Sequence, residues 1–247
     1  MLALSDIEVV REVSEAMRAG QVLLATQPVR SVFDTELELY RECLARLSRT
    51  SGEILYPASF IPSLERLQMM RDFDAHVVSQ AIEQLRQHPH LCLGVNISAQ
   101  SATIDEIWGP TLAALEQAPA VARRLIVEIT ESAPMERGRG RQFCARLQHL
   151  GCRIAVDDFG VGFGVHTAME ITSPDIVKIA GSLVTEAGKS AGTTARLARM
   201  ISLAASTAKH VIAEGVESLA DLHVVQQAGA GWVQGYYLGT AALEQRQ

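Results

Sequence analysis

Acidic, amide and lysine side chains recur at the ends of short apolar runs in this sequence. In "RIAVDDFGVGFG" (153–164), an apolar run ends in Asp157 and Asp158 and then passes into glycines. A single run of this kind is ordinarily a strand that reaches solvent, because a buried carboxylate is costly unless it is paired or bound to metal. Seven of eight apolar runs carry such a residue late, however, which predicts a shared site made of Glu42, Asn96, Glu128, Asp157, Asp158, Lys178, Glu214 and Gln234.

The charges in this set predict bound metal ions. The five carboxylates and one lysine carry a net charge of −4. Two carboxylates about 4 Å apart repel by roughly 4 kcal/mol at an effective dielectric near 20, so they do not all stay ionised without cations. Two divalent cations would balance the charge, and oxygen ligands without cysteine or histidine are typical of Mg²⁺ or Mn²⁺. Paired metals in a cup of carboxylates suit hydrolysis of a phosphate ester.

The elements that must carry these residues alternate between strand and helix. The β-rich runs lie at 22–29, 37–43, 92–98, 125–130, 153–158, 175–180, 210–216 and 232–238. Apolar residues at helical spacing predict helices between them, at 73–85, 104–117, 138–150, 197–205 and 219–228. Eight strands that alternate with helices predict an α/β fold with a closed barrel of the TIM type, whose active-site face is formed by the carboxyl ends of the strands.

The first strand should depart from this regular pattern. Only seven residues, "RSVFDTE", separate the first two runs, and a helical crossover between parallel neighbours needs a dozen or more. We therefore expect a modified TIM barrel of eight strands in which the first strand is antiparallel. Side chains alternate along a strand, so Gly94 shares a side with Asn96, and Ala155 shares one with Asp157. Small residues at these positions leave room for the polar groups above them.

Length, charge and cysteine spacing limit the classes of function. The 247 residues are 48% hydrophobic, enough for one large domain, and we expect residues 1–20 to form a leading helix ahead of a domain at 21–247. The net charge of −6 without a basic block argues against a nucleic acid polymer or an anionic membrane as partner. The sequence shows neither a membrane segment nor a signal-peptide pattern, which favours a cytoplasmic location. The four cysteines include no CxxC pair, so they are expected to be reduced thiols, and a zinc site is not expected.

Together, the motif blocks resemble those of the EAL-domain family of bacterial cyclic di-GMP phosphodiesterases. "YRECLARL" is similar to the segment that gives the family its name, with Cys43 where alanine is usual. Further blocks follow in the family order between about Gln21 and Gly239, namely "YPASFIPSLE", "LGVNIS", "VEITES", "VDDFGVGFG", "VKI", "AEGVES" and "QGYYL". The resemblance implies an EAL domain at residues 21–247, with a modified TIM barrel. The implied reaction is metal-dependent opening of one phosphodiester bond of cyclic di-GMP, which gives linear pGpG.

The resemblance also implies roles for individual residues. It implies that metal is bound by Glu42, Asn96, Glu128, Asp157, Asp158 and Glu214. It implies that Lys178 holds or polarises the attacking water, with Glu214 a further candidate for handling the proton. Substrate contacts are implied for Gln27, Arg46, Pro57 and Gln234, with Arg46 on a phosphate. Glu131 matches the residue that braces the glycine-rich loop after Asp158, and a homodimer through the helices beside that loop is implied as well.

Three departures from the family pattern keep a second function open. Ala180 stands where the family usually has aspartate, and the tail "YYLGTAAL" lacks the usual R-P-L-P ending. In the glycine-rich loop, Val161 removes a hydroxyl, and Gly164 and Val165 replace serines. The chain is therefore either a phosphodiesterase, slowed by these changes, or a cyclic di-GMP receptor or protein-interaction module without turnover. The retained acids favour the enzyme, because a binding module does not need five mutually repelling carboxylates.

Overall fold

The structure is a computed structural model, and it describes residues 2–130, 138–161, 171 and 173–243. The α-helices are α1 (Leu2–Ala19), α2 (Ile61–Arg66), α3 (Met70–Gln87), α4 (Gly109–Gln117), α5 (Pro119–Ala122), α6 (Arg139–Leu150), α7 (Gly181–Ala187), α8 (Ala191–Ala205) and α9 (Leu219–Gln227). The strands are β1 (Val22–Ser31), β2 (Glu38–Ser48), β3 (Ile54–Leu55), β4 (Leu93–Ser98), β5 (Leu125–Thr130), β6 (Arg153–Phe159), β7 (Ile176–Ile179), β8 (His210–Ala213), β9 (Trp232–Val233) and β10 (Ala242–Leu243).

Eight of the described strands close into a barrel. They follow the order β1, β2, β4, β5, β6, β7, β8 and β9, and β9 pairs with β1 to complete the ring. The pairs from β2 round to β9 are parallel, whereas β1 is antiparallel to both of its neighbours. The predicted modified TIM barrel with an antiparallel first strand is therefore confirmed. β3 and β10 add short antiparallel pairings to β2 and β1.

Amphipathic helices cover the barrel. α3 buries Val77, Ala81 and Leu85 along one face, because residues four apart lie on the same side of a helix. α8 begins with a capping box, in which the side chains of Ser190 and Thr193 each accept the other residue's backbone N–H. Among the described residues, none of the helices combines the length and the apolar character that crossing a membrane would require.

The helix predicted at 104–117 begins later than predicted, at Gly109. Asp105 explains the difference, since its Oδ1 accepts the backbone N–H of Ile107 at 3.0 Å and that of Trp108 at 3.3 Å. A short side chain that satisfies nearby backbone donors in this way competes with the helix. The helix then starts where Pro110 occupies its first turn, a position that proline tolerates well.

Strand β2 is longer than the apolar run suggested. It extends to Ser48 because β1 pairs with it in antiparallel register, from Val29 opposite Tyr40 to Val22 opposite Leu47. Glu42 therefore lies in the middle of a strand, and its prediction as a strand-end residue is wrong. It still joins the other acids, because in the barrel Glu42 is in register with Gly94 of β4, two residues before Asn96.

The barrel interior places a polar level above an apolar level. The apolar level is a buried cluster of Val29, Tyr40, Ile126, Ala155, Ile176 and Ile212. Alternate residues of a strand share a face, so the side chain two positions further along points to the same interior. On the parallel strands these next side chains are polar or charged, and they are Glu42, Glu128, Asp157, Lys178 and Glu214.

Candidate active site

Lys178 lies at the centre of the polar level. Its side chain is fully buried, and its Nζ contacts carboxylate oxygens from four different parts of the barrel. The distances from Nζ are 2.7 Å to Glu128 Oε2, 2.8 Å to Glu214 Oε1, 3.0 Å to Glu42 Oε2 and 3.3 Å to Asp157 Oδ1. The structure thus brings together five of the residues that the sequence placed at one site.

Glu42 is also held by amide side chains. Asn96 Nδ2 donates a hydrogen bond to Glu42 Oε1, and Gln234 Nε2 donates one to Glu42 Oε2 at 2.6 Å. Gln234 Nε2 lies 3.3 Å from Gln27 Oε1, and Gln27 Nε2 in turn donates to the carbonyl of Gly239 at 2.9 Å. The predicted amide residues therefore line the acidic cup, which is the set of four carboxylates around Lys178, and they fix the position of the Glu42 carboxylate.

Asp158 differs from the other acids, because its side chain is exposed and makes no contact with Lys178. Its backbone has φ of +53°, in the left-handed region that a non-glycine residue adopts at a cost of roughly 1–3 kcal/mol. Its N–H donates to Asp157 Oδ1 at 3.0 Å. Asp158 therefore lies at the rim of the cup, where the chain turns away from β6.

Burial and mutual repulsion favour protonation of part of the cup. Burial raises the pKa of Glu128 to about 8, with Lys178 opposing the shift and Glu42 adding to it. Burial, followed by the negative charge of Asp157, raises the pKa of Glu214 well above its ordinary value. The pKa of Asp157 is raised too, and again burial is the largest cause. Without a cation other than Lys178, Glu128 therefore retains its proton near neutral pH.

Lys178 and Glu42 form an ionised pair within this cluster. Burial alone would lower the pKa of Lys178, but the surrounding carboxylates raise it well above its ordinary value. Burial alone would raise the pKa of Glu42, but the ammonium of Lys178 and the amide of Gln234 lower it. Lys178 is therefore a hydrogen-bond donor at neutral pH and cannot act as a base.

The donor atoms of the cup fit a hard divalent cation. Within the described ranges, Asn96 Oδ1 and Glu128 Oε1 are buried and accept no hydrogen bond, whereas Glu128 Oε2 is paired with Lys178 Nζ at 2.7 Å. Unsatisfied buried oxygens of this kind are typical of groups that bind an ion or a water molecule. Lys178 Nζ occupies the space between the carboxylates. In the described part of the chain, no group of three acidic, histidine or cysteine side chains is therefore arranged to hold a metal ion. Oxygen ligands and surplus negative charge agree with Mg²⁺ or Mn²⁺ in type.

Arg46 and Pro57 lie beside the cup. Arg46 is on the same face of β2 as Glu42, four residues further along, and none of the described carboxylates pairs with it. Its guanidinium carbon is 4.7 Å from the centre of the Tyr56 ring, and its Nη1 donates to the carbonyl of Ala45 at 2.9 Å. Pro57 lines a neighbouring cavity of about 250 Å³, shared with apolar side chains of α3 and with Asn96 and Asp157.

Some predicted site residues lie outside the described residues. These are Glu131 and, in the glycine-rich loop, Gly164 and Val165. Ala180 is described, and it is buried at the N-cap of α7, where it offers no side-chain oxygen to the helix. Val161 is described as well and is 39% exposed.

Sequence reasoning missed two residues of this site, Tyr40 and Tyr56. Tyr40 is buried beneath the cup, two residues before Glu42, and the alternation of side chains along β2 could have revealed it. Tyr56 stacks on Arg46 only because β3 folds back against the end of β2, and no sequence pattern announces that contact.

The fold and site define a class, namely TIM-type barrels with one antiparallel strand and an acidic cup around a buried lysine. Comparison with known families then identifies the group within that class. The family model described as the EAL domain matches residues 10–241, and the chain belongs to the EAL domain family.

The chain is also similar to curated proteins and solved structures. It is 27% identical to the cyclic di-GMP phosphodiesterase PdeB of Shewanella oneidensis, over 92% of this chain and 27% of that protein. It is 28% identical to the probable cyclic di-GMP phosphodiesterase PdeA of Escherichia coli, over 91% of this chain and 31% of that protein. The chain thus spans less than a third of the length of these relatives.

A solved structure confirms the fold. The EAL enzyme Bd1971, solved with cAMP and cyclic di-GMP bound, superposes with a TM-score of 0.84 at 23% identity. The match covers 98% of this chain and 68% of that one.

Proposed function

We propose that this chain hydrolyses one phosphodiester bond of cyclic di-GMP to give linear pGpG. The observation that carries the proposal is the surplus of negative charge around Lys178, where four carboxylates face one ammonium within 3.3 Å. Membership of the EAL family and similarity to proteins named as cyclic di-GMP phosphodiesterases support the choice of substrate. The reaction belongs to bacterial second-messenger signalling.

The cup is proposed to hold two divalent cations, Mg²⁺ or Mn²⁺. The proposed ligands are Glu42, Asn96, Glu128, Asp157, Asp158 and Glu214. When bound, such ions lower the pKa of a coordinated water and stabilise charge on a phosphoryl oxygen. Because Glu128 retains its proton near neutral pH without the ions, loading should release this proton to solvent.

Lys178 and Glu214 are proposed to handle the attacking water. Lys178 stays protonated, and one of its three N–H groups would donate to the water oxygen and orient it when metal binding draws a carboxylate away from Nζ. Glu214 lies 2.8 Å from Nζ and has a side chain that is 20% exposed, so it sits between the buried lysine and the mouth. From that position it can accept the proton that the water loses on attack.

The substrate is proposed to lie across the mouth of the barrel. Arg46 would hold a phosphate, because its guanidinium has no described carboxylate partner and is braced by the Tyr56 ring. Gln27 and Gln234 would contact the nucleotide from the amide network, and Pro57 from the cavity beside it. Glu131 is proposed to brace the glycine-rich loop.

The domain boundaries, the oligomeric state and the cellular location are proposed along with the reaction. Residues 1–20 would form a leading helix and residues 21–247 the domain. α1 is anchored by Asp6, which accepts hydrogen bonds from Ser63 Oγ and Arg66 Nε of α2, each at 2.9 Å. A homodimer and a cytoplasmic location complete the proposal.

A receptor without turnover is the second candidate, and the observation that favours it is Ala180. This residue leaves a buried position beside the cup without the carboxylate that the sequence pattern leads one to expect. The test is incubation of purified protein with cyclic di-GMP and Mn²⁺ or Mg²⁺, followed by separation of the products. EDTA and the Glu42→Gln variant serve as controls. Linear product that disappears in both controls supports the enzyme, and tight binding without product supports the receptor.

A further inference from the structure

Tyr40 occupies the interior of the barrel directly below the acidic cup. It is 1% exposed and packs in the apolar level with Val29, Ile126, Ala155, Ile176 and Ile212. Tyr40 precedes Glu42 by two residues on β2, so both side chains point to the same interior. A tyrosine at this position places a polar hydroxyl in a layer that is otherwise apolar.

The buried Tyr40 hydroxyl forms no hydrogen bond of regular geometry with the described residues, but the Glu128 carboxylate lies close enough to interact with it and to raise its pKa. Glu128 Oε1 likewise accepts no hydrogen bond of regular geometry, whereas Glu128 Oε2 is paired with Lys178. A buried hydroxyl without a partner destabilises a fold, and phenylalanine would fill the same space without that cost. Packing alone therefore does not account for a tyrosine here.

Gly94 shows that the ring of Tyr40 and the carboxylate of Glu128 are neighbours. A Cβ atom added to Gly94 would lie 2.1 Å from Glu128 Oε1 and 2.5 Å from Tyr40 Cε2. Both side chains therefore lie against Gly94. Cε2 is bonded to the ring carbon that carries the hydroxyl, so the hydroxyl end of the ring is the end nearest Glu128. The pKa of Tyr40 responds accordingly, since burial and then the negative charge of Glu128 raise it.

We propose that Tyr40 is a positioning residue whose hydroxyl donates a hydrogen bond to the Glu128 carboxylate from below and directs it toward the mouth. Gly94 makes room for the pair, because any side chain there would displace one of its members. The inference rests on the proposed function, in which Glu128 is a metal ligand. Partners in this outer position orient a ligand, and their loss typically weakens metal binding by 10–100-fold.

The test is calorimetric titration of the whole chain with Mn²⁺, comparing wild type with Tyr40→Phe. The variant keeps the ring, so a packing role predicts unchanged Mn²⁺ affinity. Our inference predicts that the dissociation constant rises about tenfold or more. Tyr236→Phe is the matched control, since Tyr236 is 69% exposed and should bind Mn²⁺ as wild type does.

A double-mutant cycle separates positioning from a general effect on the fold. In a Glu128→Met background, which has no oxygen to accept the hydroxyl, adding Tyr40→Phe should change the Mn²⁺ affinity by less than twofold, because the hydroxyl acts through this carboxylate. Equal affinities of wild type and Tyr40→Phe would overturn the inference and leave the proposed function intact. A full effect of Tyr40→Phe in the Glu128→Met background would overturn it too. Absence of Mn²⁺ binding by wild type would overturn the proposed function together with the inference.

Discussion

Glu128 should make the metal-free protein less stable as the pH rises. Its pKa in the folded protein is raised to about 8 by burial, against an ordinary value of 4.5. Between these two values the folded protein binds a proton that the unfolded chain has released, so stability is highest at the acidic end and is lost as the pH rises. One proton over the three pH units from 5 to 8 corresponds to about 4 kcal/mol of unfolding free energy.

Neighbouring acids modify this loss without reversing its sign. Asp157 and Glu214 also have raised pKa values and add to the loss, whereas the pKa of Glu42 is lowered, so its effect on stability falls below this pH window. Lys178 stays protonated throughout the window and contributes nothing to the slope. Glu128→Gln isolates the effect, because the amide keeps the shape of the side chain but does not titrate.

The assay is urea denaturation in EDTA at pH 5 and at pH 8. We expect wild type to lose several kcal/mol of unfolding free energy between the two, and Glu128→Gln to lose about 4 kcal/mol less. Millimolar Mn²⁺ should reduce the loss in wild type, since bound cations replace the proton as the counter-charge. An identical pH dependence of wild type and Glu128→Gln in EDTA would refute the reasoning.

Three further predictions concern catalysis. Glu42→Ala should abolish hydrolysis of cyclic di-GMP in Mn²⁺ while the circular dichroism spectrum stays native, and wild-type turnover would show that the site is assigned wrongly. Ala180→Asp should raise the turnover number, whereas an unchanged rate would point instead to the altered loop after Asp158. Tyr56→Leu should raise KM two- to fivefold at constant kcat, because a partly exposed cation–π contact with Arg46 contributes about 0.5–1 kcal/mol. Tyr56→Phe is its control, and a KM that rises equally in both variants would contradict this role of the ring.

The barrel, and the identity of the residues that form its polar level, were predictable because both follow from local rules. A seven-residue connection is too short for a parallel crossover, and this alone predicts the antiparallel β1. Strand alternation similarly places Glu128, Asp157 and Lys178 on one interior face. These rules depend on neighbours in sequence and not on the remaining fold.

Contacts between distant segments were not predictable. The position of Glu42 in the middle of β2 depends on the long pairing with β1. The buried lysine was expected at the site, but its place at the centre of four carboxylates follows only from barrel closure. Tyr40 escaped notice because an aromatic residue on a strand usually indicates packing alone.

The most direct test of the central idea is a crystal structure with anomalous scattering recorded from crystals soaked in millimolar Mn²⁺. We expect two anomalous peaks within coordination distance of Glu42, Glu128 and Asp157, with the carboxylate of Glu128 drawn away from Lys178. A well-ordered cup without any anomalous peak would contradict the claim that its surplus negative charge serves to bind divalent cations.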